Sequence, residues 1–376
     1  MKILVTSKKS YPAPGISSSG PIASAISVTL ERPDRIVFSG IQPTGELHLG
    51  NYLGAISNWV KLQNEARSNE QVLFSIVGWH ALTLPQNPKD LSRSRADMLA
   101  TLLAFGIDPK RSVVFYQEDN QCHTELSWIL SCITPVGQLR RMTTWKSRLA
   151  TKRNANSESE VDESILNAGL FTYPILQAAD ILAYRATHVP VGEDQTQHLE
   201  LARNLADSFN RTFDPKKSFF PLPSQLITPH RRVLSLKDPS SKMSKSSPDV
   251  SSRISLTDTT SEIERKIRGA VTDSIQGITY DPVNRPGTSN LLSILAGSVD
   301  EDVEQVARRY EGKGHGDLKK DVVEALDGLL KTPRTEFERL RQDKGYLSAV
   351  AKEGAEKAKQ RTSYTLQEVR RLVGLC

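Results

Sequence analysis

Residues 36–51 read IVFSGIQPTGELHLGN, and this stretch decides the fold of the chain. It begins with an apolar, β-prone run over residues 36–38, turns at Pro43-Thr44-Gly45 and leads into a helix-like segment over residues 52–66. A strand, a glycine-rich turn and a helix together present backbone N–H groups and a positive helix end, which suit an anion such as a phosphate. Glycine and proline also shape ordinary strand-to-helix loops, so this stretch alone leaves both interpretations open.

The chain beyond this stretch alternates between strand and helix patterns. Apolar runs over residues 72–77 and 113–116 are typical of buried strands, and a short strand is predicted just before Gly192. The predicted helices cover residues 88–105, 123–131, 137–149, 169–182 and 196–210. This alternation predicts an α/β fold with a parallel sheet, in which ligands bind beyond the carboxyl ends of the strands.

Length and composition are those of a globular chain with two or three domains. The 376 residues exceed the roughly 250–300 at which a single core stops growing, and 38% of them are hydrophobic. No apolar run approaches the roughly 18 residues that a membrane span needs, so no membrane partner is expected. The three cysteines lack C-x-x-C spacing, so we expect neither a disulfide framework nor a structural zinc site.

The amino-terminal segment differs from the rest. Residues 1–34 are rich in Ser, Pro, Gly and Ala, and no acidic residue precedes Glu31. Residues 1–35 hold five basic and two acidic side chains, which is half of the net charge of +6. This composition is typical of a transit segment and favours the mitochondrial matrix. The alternative is a disordered tail on a cytoplasmic protein.

Three polar features interrupt the apolar pattern. Asp180 lies in an apolar helical run, where a buried carboxylate must be paired or hydrogen-bonded. The cluster Gly192-Glu193-Asp194-Gln195 joins a strand to a helix, and Asp194 could simply cap that helix. The loop over residues 233–247 carries Lys242 and Lys245 among serines, which suits closure over phosphates as well as a solvated linker.

Two distant segments together resemble the signatures of class I aminoacyl-tRNA synthetases. His48-Leu49-Gly50-Asn51 resembles their HIGH signature, and Lys242-Met243-Ser244-Lys245-Ser246 matches their KMSKS signature. Residues 38–45, 178–182 and 189–195 resemble the tryptophanyl-tRNA synthetase branch in particular, and the resemblance covers about residues 36–372.

The resemblance implies an architecture and an activity. A Rossmann-like catalytic domain is expected over residues 35–250, with a polar surface loop at 151–164, followed by a helical anticodon-binding domain over 251–376. Members are homodimers that use ATP with Mg²⁺ to convert L-tryptophan into tryptophanyl-adenylate. They then transfer the amino acid to the 3′ end of tRNA(Trp).

The resemblance also implies site residues. Residues expected to act in catalysis are His48, Lys242, Ser244 and Lys245. Residues expected to bind ATP are Gln42, Pro43, Thr44, Gly50, Asn51, Gly192, Glu193, Asp194, Val233, Lys242, Met243, Ser244, Lys245 and Ser246. Residues expected to bind tryptophan are Phe38, Gly40, His80, Tyr173, Asp180 and Gln195. Among them, Asp180 is the expected acceptor for the indole N–H, because indole offers one donor and no acceptor.

Two departures from the family pattern lie near the expected pocket. Gln177 stands where bacterial members often have Met, and Gly78 stands where they often carry an acidic residue shortly before the histidine, here His80. Two alternatives remain: a tyrosyl-type synthetase, and a synthetase-derived tRNA-binding or splicing protein. The presence of both KMSKS lysines and of Asp180 favours the enzyme over the binding protein.

Overall fold

The computed structural model describes residues 35–143, 145–146, 166–192, 195–226, 232–245 and 247–376. The predicted transit segment over 1–34 and the predicted surface loop over 151–164 lie outside the described residues. The same holds for Glu193, Asp194 and Ser246. The chain from Pro33 to Cys376 clusters as one compact unit.

A parallel sheet of five strands, in the order β3-β2-β1-β4-β5, forms the centre of this unit. The strands are β1 (Arg35–Ile41), β2 (Glu70–Ile76), β3 (Val113–Tyr116), β4 (His188–Pro190) and β5 (Ser224–Leu226). Because strand order reverses direction on either side of β1, the carboxyl ends of β1 and β4 flank a topological switch point, where ligands bind in such sheets. The predicted Rossmann-like α/β fold is confirmed.

The central strands appear in the sequence as continuous apolar runs because both of their faces are covered. Strands β1 and β2 pair in register from Arg35 opposite Glu70 to Ile41 opposite Ile76. Side chains that point to opposite faces of the sheet, such as Val37 and Phe38 in β1, are both buried. The centre of the sheet is therefore covered on both faces up to the carboxyl ends of its strands.

The helices of the first part of the chain mostly follow the predicted pattern. They are α1 (Leu49–Asn51), α2 (Ser57–Glu65), α3 (Gly78–Ala81), α4 (Pro88–Ala104), α5 (Cys122–Cys132), α6 (Val136–Arg140), α7 (Ala168–Ala183) and α8 (Thr196–Phe213). Two differ from the prediction. A π-helical turn over Tyr52–Ile56 separates α1 from α2. The helix predicted over 137–149 is interrupted, since α6 ends at Arg140, residues 141–143 are not helical, and residues 145–146 are helical again.

The second part of the chain is helical, as predicted. It contains α9 (Thr260–Arg268), α10 (Pro286–Ser298), α11 (Val303–Arg308), α12 (His315–Gln342) and α13 (Lys344–Leu372). Its hydrophobic core is continuous with that of the sheet, since one cluster of buried side chains includes Phe74 of β2 and Leu318 of α12. The predicted boundary between a catalytic and an anticodon-binding domain at residue 250 does not coincide with a break in this core, and it stays a prediction.

Helix α13 returns to the sheet and packs on strand β3. Gly354 makes this packing possible, because a Cβ atom at this position would overlap the carbonyl oxygen of Val114. None of the helices in the described part of the chain combines the length and the apolar character needed to cross a membrane.

Candidate active site

A cavity of about 290 Å³ lies at the switch point of the sheet. It is lined by every residue predicted to bind tryptophan, and by Gln42 and Gly192 of the predicted ATP set. The π-helical turn contributes Gly54 and Ala55 to its wall. Such turns are frequent at functional sites, because they change which residues of a helix face one side.

Strand β1 supplies the apolar side of the cavity. Phe38 is buried and stacks on Tyr184, with 5.3 Å between the ring centroids. Gly40 lets the chain pass close to Val77, whose Cγ1 would lie 3.0 Å from a Cβ atom at residue 40. Tyr173 of α7 meets the ring of His80 edge-on at 6.1 Å. These flat surfaces and the glycine leave room for a planar ring.

Among the described residues that line the cavity, Asp180 is the one carboxylate, and its side chain is 3% exposed. Three donors surround it: Gln117 Nε2 and His123 Nδ1 each lie 2.7 Å from Oδ1, and His80 Nε2 lies 2.7 Å from Oδ2. Burial alone would raise the pKa of Asp180, but the contacts with His80 and His123 outweigh it and lower the pKa to about 2. Asp180 is therefore a carboxylate at neutral pH and can only accept hydrogen bonds.

The hydrogen-bonding capacity of this carboxylate is unequal at its two oxygens. Each oxygen offers about two lone-pair sites. Oδ1 already accepts from two protein donors, whereas Oδ2 accepts from His80. Within the described residues, the second site on Oδ2 therefore has no protein donor.

Gln195 of the predicted tryptophan set also lines the cavity, beside Gln177. Gln195 precedes α8, and its Oε1 accepts from Gln177 Nε2 at 3.4 Å. The departure at position 177 therefore supplies an amide that holds another amide at the cavity wall.

The first signature segment places His48 against the segment that follows the KMSKS loop. Leu49 N–H donates to the carbonyl of Ile254 at 2.8 Å, and His48 bridges to Ser255. Burial, and then the charges of Lys245 and Arg253, lower the pKa of His48 to about 4. His48 is neutral at pH 7, and its buried Nδ1 has no hydrogen-bond partner within the described part of the chain.

The KMSKS loop lies against this same segment. Lys245 Nζ donates to the carbonyl of Thr44 at 2.8 Å, and burial lowers the pKa of Lys245 to about 8. Met243 N–H donates to the carbonyl of Val233 at 3.1 Å. Gly50 faces Val233, because a Cβ atom added at residue 50 would lie 3.6 Å from the Cβ of Val233. The structure thus brings together two segments that are about two hundred residues apart in the sequence.

The remaining residues predicted to bind ATP differ in their setting. Pro43 and Thr44 line a groove next to the cavity. Asn51 Oδ1 accepts the backbone N–H of His48 at 3.1 Å and so fixes the start of α1. Lys242 is exposed, and its backbone pairs with Leu234. Ser244 follows it in the same loop and is half-buried.

The departure at Gly78 has a structural counterpart elsewhere in the chain. A Cβ atom at residue 78 would overlap the carboxylate of Glu118, which follows strand β3. Glu118 is paired with Arg95, and burial raises its pKa. An acidic group therefore occupies the space beside residue 78, but it comes from a different position in the sequence.

Sequence reasoning missed two residues that contact Asp180. Gln117 follows directly after β3, so the rule that ligand-binding groups follow strand ends could have identified it. His123 lies fully buried in α5 and carried no comparable signal. Within the described ranges, no group of three or more His, Cys, Asp or Glu side chains is placed to hold a metal ion.

Comparisons with known proteins agree on one family. The model of the class I tRNA synthetases for tryptophan and tyrosine matches residues 31–331. The mitochondrial tryptophan–tRNA ligase of Schizosaccharomyces pombe is 42% identical over 93% of this chain and 98% of its own. That of Saccharomyces cerevisiae is 43% identical over 90% of each chain. The tryptophanyl-tRNA synthetase from Mycoplasma pneumoniae has a similar structure, with a TM-score of 0.79, 32% identity, and 91% of this chain and 98% of that one covered.

Proposed function

This chain belongs to the class I tRNA synthetases for tryptophan and tyrosine, and we propose that it activates L-tryptophan with ATP and transfers it to tRNA(Trp) in mitochondria. The observation that carries the choice of tryptophan is the buried Asp180 carboxylate, which keeps one acceptor site on Oδ2 for a donor in the cavity. An indole ring has a single N–H donor and no acceptor, so it matches this site. A phenol also offers one O–H donor, so ATP–pyrophosphate exchange with tyrosine must separate the two substrates.

Burial lets this acceptor discriminate between side chains that offer a hydrogen-bond donor and those that do not. A buried acceptor that a substrate leaves unpaired costs about 1–3 kcal/mol, and sites built on such hydrogen bonds reject the wrong amino acid strongly. Phe38 and Tyr173 provide the flat apolar walls, and Gln195 is proposed to hold the polar end of the amino acid. Gly40 leaves the space between them.

The nucleotide is proposed to lie between the two signature segments. In the first reaction, a tryptophan carboxylate oxygen attacks the α-phosphorus of ATP, and the bond from that phosphorus to the pyrophosphate oxygen breaks. His48 is neutral, so it contributes a hydrogen bond to a phosphate and no charge. Lys242 and Lys245 supply the cations that stabilise the leaving pyrophosphate. Mg²⁺ enters with ATP and neutralises further phosphate charge.

Lys245 must exchange one partner for another in this reaction. Its ammonium group donates to the Thr44 carbonyl. Phosphate oxygens are stronger acceptors for an ammonium group, so ATP draws Lys245 away from the carbonyl and raises its pKa. In the second reaction, a hydroxyl group at the 3′ end of the tRNA attacks the activated carbonyl carbon and AMP leaves.

ATP–pyrophosphate exchange tests the assignment directly. We expect exchange that depends on tryptophan, with tyrosine inactive at the same concentration. Exchange with tyrosine and none with tryptophan would overturn the proposal. Loss of exchange in Lys245→Ala, with tryptophan binding retained, separates the phosphate role from the amino-acid role.

The site of action is proposed from the mitochondrial relatives and from the composition of residues 1–34. A fluorescent reporter fused to residues 1–35 is expected to enter mitochondria. A reporter that stays in the cytosol would contradict the transit role of this segment.

A homodimer is proposed as the active assembly. Trp79, Leu82 and Trp128 are large apolar side chains that are 38%, 54% and 72% exposed. Analytical ultracentrifugation is expected to give twice the chain mass, and Trp128→Arg is expected to shift the protein towards the monomer. A wild-type protein that sediments as a monomer would refute this proposal.

A further inference from the structure

A line of buried hydrogen bonds joins Asp180 to the carboxyl-terminal helix α13. His123 Nε2 lies 2.8 Å from the hydroxyl of Tyr184, and that hydroxyl lies 3.0 Å from Asn120 Nδ2. Asn120 Nδ2 also lies 3.0 Å from Thr362 Oγ1. None of these residues is more than 2% exposed, so water does not compete for these bonds.

The direction of each bond in this line is fixed by chemistry. Asp180 only accepts, so His123 donates from Nδ1 and accepts at Nε2, which makes Tyr184 the donor to His123. The Asn120 amide is oriented by the N–H of Cys122, which donates to Oδ1 at 3.2 Å. Asn120 Nδ2 therefore faces both hydroxyl groups and donates to each.

The line ends on the backbone of α13. The Thr362 hydroxyl accepts from Asn120 Nδ2, and the acceptors in reach of its own proton are the carbonyls of Ala358 at 3.2 Å and Lys359 at 3.3 Å and Asn120 Oδ1 at 3.3 Å. The donors therefore point two ways from Asn120: through Tyr184 and His123 towards Asp180, and through Thr362 towards the backbone of α13. The three bonds from Asn120 to Asp180 share one direction and polarise one another, and the bond to Thr362 anchors the Asn120 amide from which they start.

We propose that Thr362 is a positioning residue for tryptophan recognition, so that helix α13 forms part of the amino-acid site although it does not line the cavity. The proposal rests on the proposed role of Asp180 as the acceptor for the indole N–H. Thr362 fixes Asn120, Asn120 fixes the Tyr184 hydroxyl, and Tyr184 holds the His123 ring at the angle that places Asp180. A carboxylate released from this angle no longer points its free acceptor site at the indole.

The test is the Thr362→Val variant, which keeps the shape of the side chain and removes its hydroxyl. We expect the KM for tryptophan in the exchange assay to rise about 3- to 10-fold, with the KM for ATP unchanged within about 2-fold. Thr362→Ser restores the hydroxyl and is expected to restore the KM for tryptophan. Thr365→Val is the matched control, because Thr365 is equally buried on the same helix but lies outside the line of hydrogen bonds.

Tyr184→Phe tests whether Thr362 acts through the line. It removes the hydroxyl in the middle, so the double variant is expected to have the same KM for tryptophan as Tyr184→Phe alone. Multiplicative effects of the two substitutions would overturn the proposal. Equal rises in KM for tryptophan and ATP, or the same change in Thr365→Val, would overturn it as well. Absence of tryptophan-dependent exchange in the wild type would instead refute the proposed function.

Discussion

The Asp180→Asn substitution gives the sharpest test of how the pocket reads tryptophan. Two donors, Gln117 and His123, face Oδ1, so the new amide turns its oxygen towards them. Its NH₂ group then replaces Oδ2 and faces His80. His80 can change tautomer and accept a hydrogen bond from this NH₂ group. The indole N–H can only donate, so it faces another donor in place of the Oδ2 acceptor.

The magnitude follows from the bond that is lost. A hydrogen bond to a charged group contributes about 1.5–3 kcal/mol, and about 1.4 kcal/mol is a tenfold change. We expect kcat/KM for tryptophan to fall about 10- to 150-fold in Asp180→Asn, and the KM for ATP to stay within about 2-fold. Asp180→Ala is likewise expected to impair tryptophan binding more than ATP binding.

An analogue in which sulfur replaces the indole N–H isolates this single bond. The wild-type enzyme is expected to prefer tryptophan over 3-(benzothiophen-3-yl)alanine by a similar factor of about 10–150, whereas Asp180→Asn should use both within about 3-fold. The ratio of two substrates in one variant does not depend on how much of the enzyme is folded. A wild-type enzyme that uses the analogue as well as tryptophan would refute the assigned role of Asp180.

Three further predictions concern charge and packing. Because the pKa of Lys245 is lowered to about 8, kcat/KM for ATP should fall as pH rises through about 8. The residual activity of Lys245→Met should lack this fall. A wild-type kcat/KM that stays constant up to about pH 9.5 would contradict the prediction. Gly354→Ala should lower the free energy of unfolding by about 1–3 kcal/mol or more, since the methyl group meets the Val114 carbonyl, and an unchanged melting temperature would be incompatible with this contact. Lys266→Met should lower the free energy of unfolding by about 3–5 kcal/mol, because it leaves the carboxylate of Asp258 buried without the ammonium group 2.5 Å away. Chemical denaturation measures this loss, and a value below about 1 kcal/mol would contradict the prediction.

The sequence was most informative where the determinants are local. Strand β3 lies over the predicted residues 113–116, and the helix ending near Gly106 ends there because the glycine adopts a φ of +105°. The juxtaposition of His48 with the KMSKS loop is non-local, and it was predicted because both signatures are specific. The π-helical turn over Tyr52–Ile56 could not be predicted, because its residues differ little from those of an ordinary helix.

The supports of the pocket carried no comparable signal. Asn120 and Thr362 are common polar residues, and nothing in either local pattern indicates that they pair. Glu118 was also missed, because its role becomes visible only beside the space that Gly78 leaves. In both cases the structural role of a residue depends on a neighbour that is distant in the sequence, and a single sequence does not show which residues are neighbours in space.

The packing of α13 on β3 also bears on the order in which the protein is made. Thr362 follows Asn120 by 242 residues, and a chain grows by about 5–20 residues per second, so on the order of 10–50 s separate the two during synthesis. In that interval β3, an edge strand, lacks the helix that covers it, and the line of hydrogen bonds behind Asp180 has no end point. On the proposed role of Thr362, we expect a polypeptide released before residue 344 to expose this surface and to bind tryptophan less tightly than the full chain.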